Sequence, residues 1–181
     1  MFEPAEAVEA QMPAHIDRAG LLCDVARGLA MRQKELDPKY FQVSVELGRA
    51  YLQLHRCSEA LDALESGAEY MAGIFRGSLG YAYSLCGRSA QALAELARLR
   101  DQASAGLYVS HIALAVIRAG LGDRDRAFAE LDSAYTERAW AMFTLNVEPA
   151  FDDLRSDPRF TALLSRVGLN QTVTAEPRRP E

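Results

Sequence analysis

One pattern of small and large residues runs through FQVSVELGRAYLQLHRCSEALDALESGAEYMA (residues 41–72) and again through GIFRGSLGYAYSLCGRSAQALAELARLRDQAS (residues 73–104). Gly80 follows Gly48 by 32 residues, and four other positions keep that spacing. The matching positions are Leu47 and Leu79, Gly48 and Gly80, Tyr51 and Tyr83, Ala60 and Ala92, and Leu64 and Leu96. A period of this length predicts helical units that stack on one another.

A third copy of the pattern begins near Tyr108, where Ala127 follows Ala92 by 35 residues. Its members are Leu114, Ala115, Ala127, Leu131 and Ala134. The change of spacing indicates a small insertion before the third copy. The pattern therefore predicts three repeats over residues 39–139.

A glycine inside a helix lowers the stability of the helix by about 1 kcal/mol relative to alanine, so its presence there indicates a role in packing. Two helices can cross closely only where side chains are small. We therefore expect Gly48 to face Ala60 and Gly80 to face Ala92 within helical pairs. The turns between the paired helices offer Gly as a helix stop and Ser or Asp as an N-cap. They lie at residues 55–58, 87–89 and 122–123.

These positions resemble the tetratricopeptide family, whose repeat is a helix-turn-helix unit of about 34 residues. The resemblance covers residues 36–139 and implies an all-α fold, an α-solenoid of about three tetratricopeptide-type helix-turn-helix repeats. The chain departs from the family at Arg118, where the third repeat should have Tyr, and at the early Trp position of each repeat. The residues at that early position are Ser44, Arg76 and His111.

The segment at residues 140–169 is expected to form a C-terminal cap that includes a capping helix. Pro149 suits the first turn of one short helix, while Asp157 as N-cap and Pro158 start the next, which ends at Gly168. Apolar residues of the segment are expected to cover the end of the last repeat, because a solenoid exposes apolar surface at its termini. They are Phe151, Leu154, Phe160 and Leu164.

This C-terminal segment also resembles the last part of the tetratricopeptide regions in bacterial multidomain regulators. Such regulators include winged-helix transcription factors, class III nucleotide cyclases and Ser/Thr kinases. Of the remaining chain, residues 1–11 are read as an N-terminal segment that can be flexible. Residues 12–38 are read as N-terminal helices or a partial repeat. Residues 170–181 are polar and proline-rich, and we expect them to be disordered.

The composition argues against several functional classes. With 25 acidic and 20 basic side chains the net charge is -5, the wrong sign for a nucleic-acid binder. The acidic start of the chain lacks the features of a secretory signal, and the most apolar stretch is too short to cross a bilayer. We therefore expect a cytoplasmic protein without membrane contact. Because phosphate loops, dinucleotide fingerprints, zinc spacings and nucleophile elbows are not found in the right context, we expect no enzyme activity, no cofactor and no metal.

The resemblance implies that the first helix of each repeat lines an inner groove in which a partner binds. The candidate residues are Val45, Arg49, Leu52, Gln53, Ile74, Tyr81, Leu85, Val109, Ile112 and Val116. Such an apolar groove suits an amphipathic helix, with Arg49 and Tyr81 as polar anchors. Two alternatives stay open: the same residues pack against the chain's own N-terminal segment, or the groove serves self-association.

These observations favour a non-catalytic module for protein-protein interaction that binds a partner helix or peptide. The alternative is a sensory or oligomerisation module of a bacterial signalling or transcription regulator whose output domain lies elsewhere.

Overall fold

The computed structural model describes residues 28, 32, 35–37, 40–71 and 75–169, and its regular elements there are all helical. The α-helices are α1 (Gln42–Gln53), α2 (Cys57–Gly67), α3 (Phe75–Leu85), α4 (Ser89–Ser104), α5 (His111–Gly120), α6 (Arg124–Thr136) and α7 (Pro158–Val167). Two 3-10 helices, η1 (Trp140–Thr144) and η2 (Pro149–Leu154), lie between α6 and α7. The all-α prediction is confirmed for this part of the chain.

The chain divides into two compact units, Met1–Tyr70 and Met71–Glu181. The predicted terminal segments, residues 1–11 and 170–181, lie outside the described residues, as does most of the predicted partial repeat at 12–38.

Three helical hairpins have the same turn. Two positions after the end of each first helix stands a residue with a positive φ angle. The residue after it donates a backbone hydrogen bond to the carbonyl five positions earlier, which is the Schellman motif. The left-handed residues are His55 (φ 56°), Gly87 (φ 74°) and Gly122 (φ 76°). The N–H groups of Arg56, Arg88 and Asp123 donate to the carbonyls of Tyr51, Tyr83 and Arg118 at 2.9, 2.8 and 2.9 Å. The predicted turns are confirmed at all three places.

The N-caps at these turns differ from the prediction. None of the second helices has a side-chain hydrogen bond at its N-cap, and Ser89 is the first helical residue rather than the cap. Asp123 does occupy the cap position, but its carboxylate accepts from Arg118 and Arg126 instead of a backbone N–H. A guanidinium is a stronger partner for a carboxylate than a neutral amide, which explains the preference.

The first unit contains one hairpin, in which α1 packs against α2. Its buried apolar residues include Val45, Leu47, Tyr51 and Leu52 from α1 and Ala60, Leu61 and Leu64 from α2. A Cβ atom built on Gly48 would collide with the side chain of Leu64. The predicted close approach at Gly48 is therefore confirmed, but the residue it faces is Leu64 and not Ala60.

In the second unit, α3 packs against both α4 and α5, and α5 packs in turn against α6 and η2. A Cβ on Gly80 would lie 2.5 Å from Ile117 Cδ1, so this glycine faces α5 and not Ala92 as predicted. A Cβ on Gly77 would lie 2.8 Å from the Cα of Ala113. The two glycines thus permit α3 and α5 to approach each other closely.

The C-terminal part has the predicted boundaries. The carboxylate of Asp157 accepts from the backbone N–H of Arg159 at 2.9 Å, Pro158 is the first residue of α7, and Gly168 ends the helix with φ 84°. The four apolar residues predicted to cover the last repeat pack in one cluster with α5 and α6. Phe151, Leu154 and Phe160 are buried there, and Leu164 is half-buried against them.

Candidate functional site

The candidate groove residues of the first unit all lie on α1, with unequal exposure. Val45 is 1% and Leu52 6% exposed, so both belong to the core. Arg49 is half-buried, and Gln53 at the end of the helix is exposed. In this unit, Gln53 is the candidate most accessible to a partner.

In the second unit, Ile112 and Val116 are buried in the cluster formed with α6, η1, η2 and α7. Tyr81 and Val109 are half-buried against core clusters, and Leu85 is 49% exposed. Ile74 lies outside the described residues. The burial of Ile112 and Val116 favours packing within the chain for these two side chains, because a partner could reach them only after the core opened.

Two of the chain's departures from the tetratricopeptide pattern, His111 and Arg118, lie in a polar network between α5 and α6. His111 Nδ1 lies 2.7 Å from Glu130 Oε2, and its Nε2 lies 3.2 Å from Glu137 Oε1. Arg118, which is 4% exposed, donates from Nε to Glu130 at 3.0 Å and from a terminal nitrogen to Asp123 at 3.2 Å. The network ties the two helices of the third hairpin together.

The same arrangement occurs between α3 and α4. Arg76 is 6% exposed, and its Nε lies 2.8 Å from Glu95 Oε2, close enough for an ion pair although this oxygen accepts no hydrogen bond. Glu95 follows Arg76 by 19 residues, as Glu130 follows His111. Neither pair was predicted from the sequence, although this equal spacing of a basic residue and a glutamate is visible in the repeat register.

The geometry of this network does not favour a metal site. The two ring nitrogens of His111 face carboxylates of two different residues, so the three side chains do not converge on one point. Across the described residues, no group of three or more histidine, cysteine or acidic side chains is arranged to hold an ion. The network can therefore be understood as a structural element, since buried charges need partners.

An exposed aromatic face, which was not predicted, lies at η1 and the turn after it. Trp140, Phe143 and Val147 are 69, 61 and 73% exposed, and the two ring centroids are 5.8 Å apart. Large apolar side chains grouped in this way are typical of interaction surfaces. Their spacing could have identified one face of a helix, but it could not tell whether that face is buried.

Beside this aromatic face is an open cavity of about 490 Å³, here named the α6–α7 cavity. It is lined by Tyr135, Thr136, Arg138, Ala139, Met142, Arg166 and Val167. Arg166 forms an ion pair with Asp132 and lies 4.3 Å from the centroid of the Tyr135 ring. Asp132 holds the pKa of the Arg166 guanidinium above its ordinary value through a hydrogen bond.

A second set of ion pairs joins the start of α7 to α6. Arg159 donates to Asp157 and Asp125, each at 2.8 Å, and lies 4.1 Å from the centroid of the Phe128 ring. Hydrogen bonds from the side chain and the backbone N–H of Arg159 lower the pKa of Asp157 from 3.8 to about 2. The carboxylate therefore stays charged to low pH and anchors the first turn of α7.

In comparisons with known proteins, the sequence matches no family model, no curated protein and no solved structure. Among the described residues, no helix combines the length and the apolar character needed to cross a membrane.

Proposed function

We propose that the chain is a non-catalytic module for protein-protein interaction, built of tetratricopeptide-type repeats that stack as an α-solenoid. The observation that carries the proposal is the equivalence of the three hairpins. Each has an alanine with no exposed surface at the same position of its second helix, Ala60, Ala92 or Ala127. Each also has the same left-handed turn. Repeated hairpins of this kind present side chains on a stable scaffold, which is how solenoid proteins bind their partners.

The distribution of charged groups supports a binding role over a catalytic one. In the described part of the chain, the buried cations Arg76 and Arg118 are held by Glu95 and Glu130, which lie on the second helices of their hairpins. Such pairs are needed to keep the charges inside the fold. A catalytic acid or base needs instead a reacting group within hydrogen-bond reach, and none of these four side chains lines the α6–α7 cavity.

The partner surface we propose on the first helices is represented in the second unit by Leu85, which is 49% exposed. A matched position on a second helix is Leu93 of α4, which is 56% exposed. Both leucines can accept a charged side chain with little effect on folding, because both are at the surface. Comparison of the Leu85 and Leu93 variants therefore distinguishes a loss of partner binding from a general loss of stability.

The test is quantitative capture of partners from the source cells by the wild-type chain and by the variants Leu85→Glu and Leu93→Glu. We expect a protein that is retained by the wild type and by Leu93→Glu to be lost with Leu85→Glu. If the wild type retains no protein above background, the proposed binding function is wrong. If both variants retain the partner equally, binding does not use the first-helix surface.

A further inference from the structure

The α6–α7 cavity combines an apolar floor with a cationic rim. Met142 is 6% exposed and belongs to the core cluster, while Ala139, Val167 and the ring of Tyr135 are half-buried beside it. Apolar surface of this kind, enclosed on several sides but open to solvent, fits one medium-sized aliphatic or aromatic side chain of a partner.

The charge of the cavity differs from that of the whole chain. Two arginines and no acidic residue line it, although the chain has a net charge of -5. Arg166 is already paired with Asp132, whereas the guanidinium of Arg138 is exposed and makes no ion pair with any described residue. The rim therefore offers at least one guanidinium to an incoming anion, and carboxylates pair with this group in two parallel hydrogen bonds.

The aromatic face extends the same surface. Arg138 and Ala139 directly precede Trp140, and Met142 and Phe143 lie on the same 3-10 helix. The exposed rings of Trp140 and Phe143 are therefore each next in the chain to a residue that lines the cavity, Ala139 or Met142. A segment in which an acidic residue stands next to apolar residues matches this combination of surfaces.

We propose that the α6–α7 cavity and the aromatic face together bind an acidic amphipathic peptide segment of a partner protein. A carboxylate of the segment pairs with Arg138, and an adjacent apolar side chain lies against Met142 and Val167. The inference rests on the proposed function as an interaction module, and it adds a second binding surface at the C-terminal end of the second unit.

The test uses two acetylated tetrapeptide amides, Glu-Leu-Phe-Glu and its neutral counterpart Gln-Leu-Phe-Gln, titrated into the full chain. Trp140 is the single tryptophan of the protein, so its fluorescence reports on this surface. We expect the acidic peptide to bind about twofold to fivefold more tightly than the neutral one. The difference should decrease as salt is added, because the ion pair is at the surface.

Two substitutions locate the site. Arg138→Asn removes the guanidinium while keeping a residue that tolerates the left-handed φ of 55° at this position. Arg126→Asn removes another exposed guanidinium, which lies on α6 outside the cavity and is paired with Asp123. We expect the first substitution to abolish the preference for the acidic peptide and the second to retain it. Circular dichroism checks that both variants remain helical.

Equal affinity for the two peptides, or the same loss in both variants, would overturn the inference. Failure of the acidic peptide to bind would do so as well. A chain that ends at Leu169 tests the protein's own C-terminal segment as the occupant, and clearly tighter peptide binding by this shorter chain would contradict an external partner. A self-association abolished by Arg138→Asn would likewise identify a second copy as the occupant. The Leu85→Glu comparison is independent of these results, so failure here leaves the general interaction proposal standing.

Discussion

The side chain of Leu64 fills the space next to Gly48 where any larger residue at position 48 would place its Cβ. Leu64 is fully buried, so a shift of its side chain would displace other residues of the core. The contact explains why a glycine, which is unfavourable in a helix, stands in the middle of α1.

We therefore expect Gly48→Ala to destabilise the first unit by about 1–3 kcal/mol, because overpacking outweighs the gain in helix propensity. The free energy of unfolding from urea denaturation measures the effect. In a Leu64→Ala background the same substitution should cost clearly less, since the colliding atoms are gone. An equal cost in both backgrounds would show that the contact is not the cause.

The shared turn gives a prediction with opposite signs at two equivalent positions. His55 and Gly87 both have positive φ, which suits glycine and strains other residues. We expect His55→Gly to stabilise the protein by about 0.5–1 kcal/mol and Gly87→Ala to destabilise it by about 1 kcal/mol. Because a Cβ on Gly87 would touch nothing within 4 Å, a loss there would reflect the backbone alone. Thermal and urea denaturation should rank the wild type between the two variants.

Arg118 holds the third hairpin together through buried charge. Replacing it with methionine keeps much of the volume but leaves Glu130 and Asp123 without this guanidinium. We expect Arg118→Met to cost about 3 kcal/mol, the usual effect of breaking a buried pair. Adding Glu130→Gln should recover part of the loss, since one uncompensated charge is removed. If the double variant is less stable than Arg118→Met alone, the Arg118–Glu130 pair does not account for the effect.

The Asp157 carboxylate makes the folding stability of the protein depend on pH in the acidic range. Its pKa falls from 3.8 to about 2 in the folded chain, so the folded state binds this proton less readily than the unfolded state. The contribution is therefore present above about pH 4 and is lost as the pH falls through about 2. Carbon-13 NMR titration of the side chain should show the low pKa. In Arg159→Gln we expect the pKa to rise toward its ordinary value, while in the control Arg126→Gln it should stay low.

Much of the local structure could be predicted from the sequence, because it depends on residues close together in the chain. The turns at Gly87 and Gly122 follow from the conformational freedom of glycine, and the start of α7 follows from Asp157 and Pro158. The periodic leucines and alanines indicated the helical pairs for the same reason. These signals act over a few residues and do not require knowledge of the packing.

Only the tertiary structure decided which helices those residues meet. Gly80 was expected to face Ala92 of α4, but its nearest neighbour is Ile117 of α5, with Glu95 of α4 farther away. The residues that a helix face meets depend on distant parts of the chain. Burial of Ile112 and exposure of Trp140 are likewise set by the elements that pack over them, and both residues are equally apolar in the sequence. The α6–α7 cavity arises from η1 and the end of α7 meeting the end of α6, a juxtaposition that no local pattern encodes.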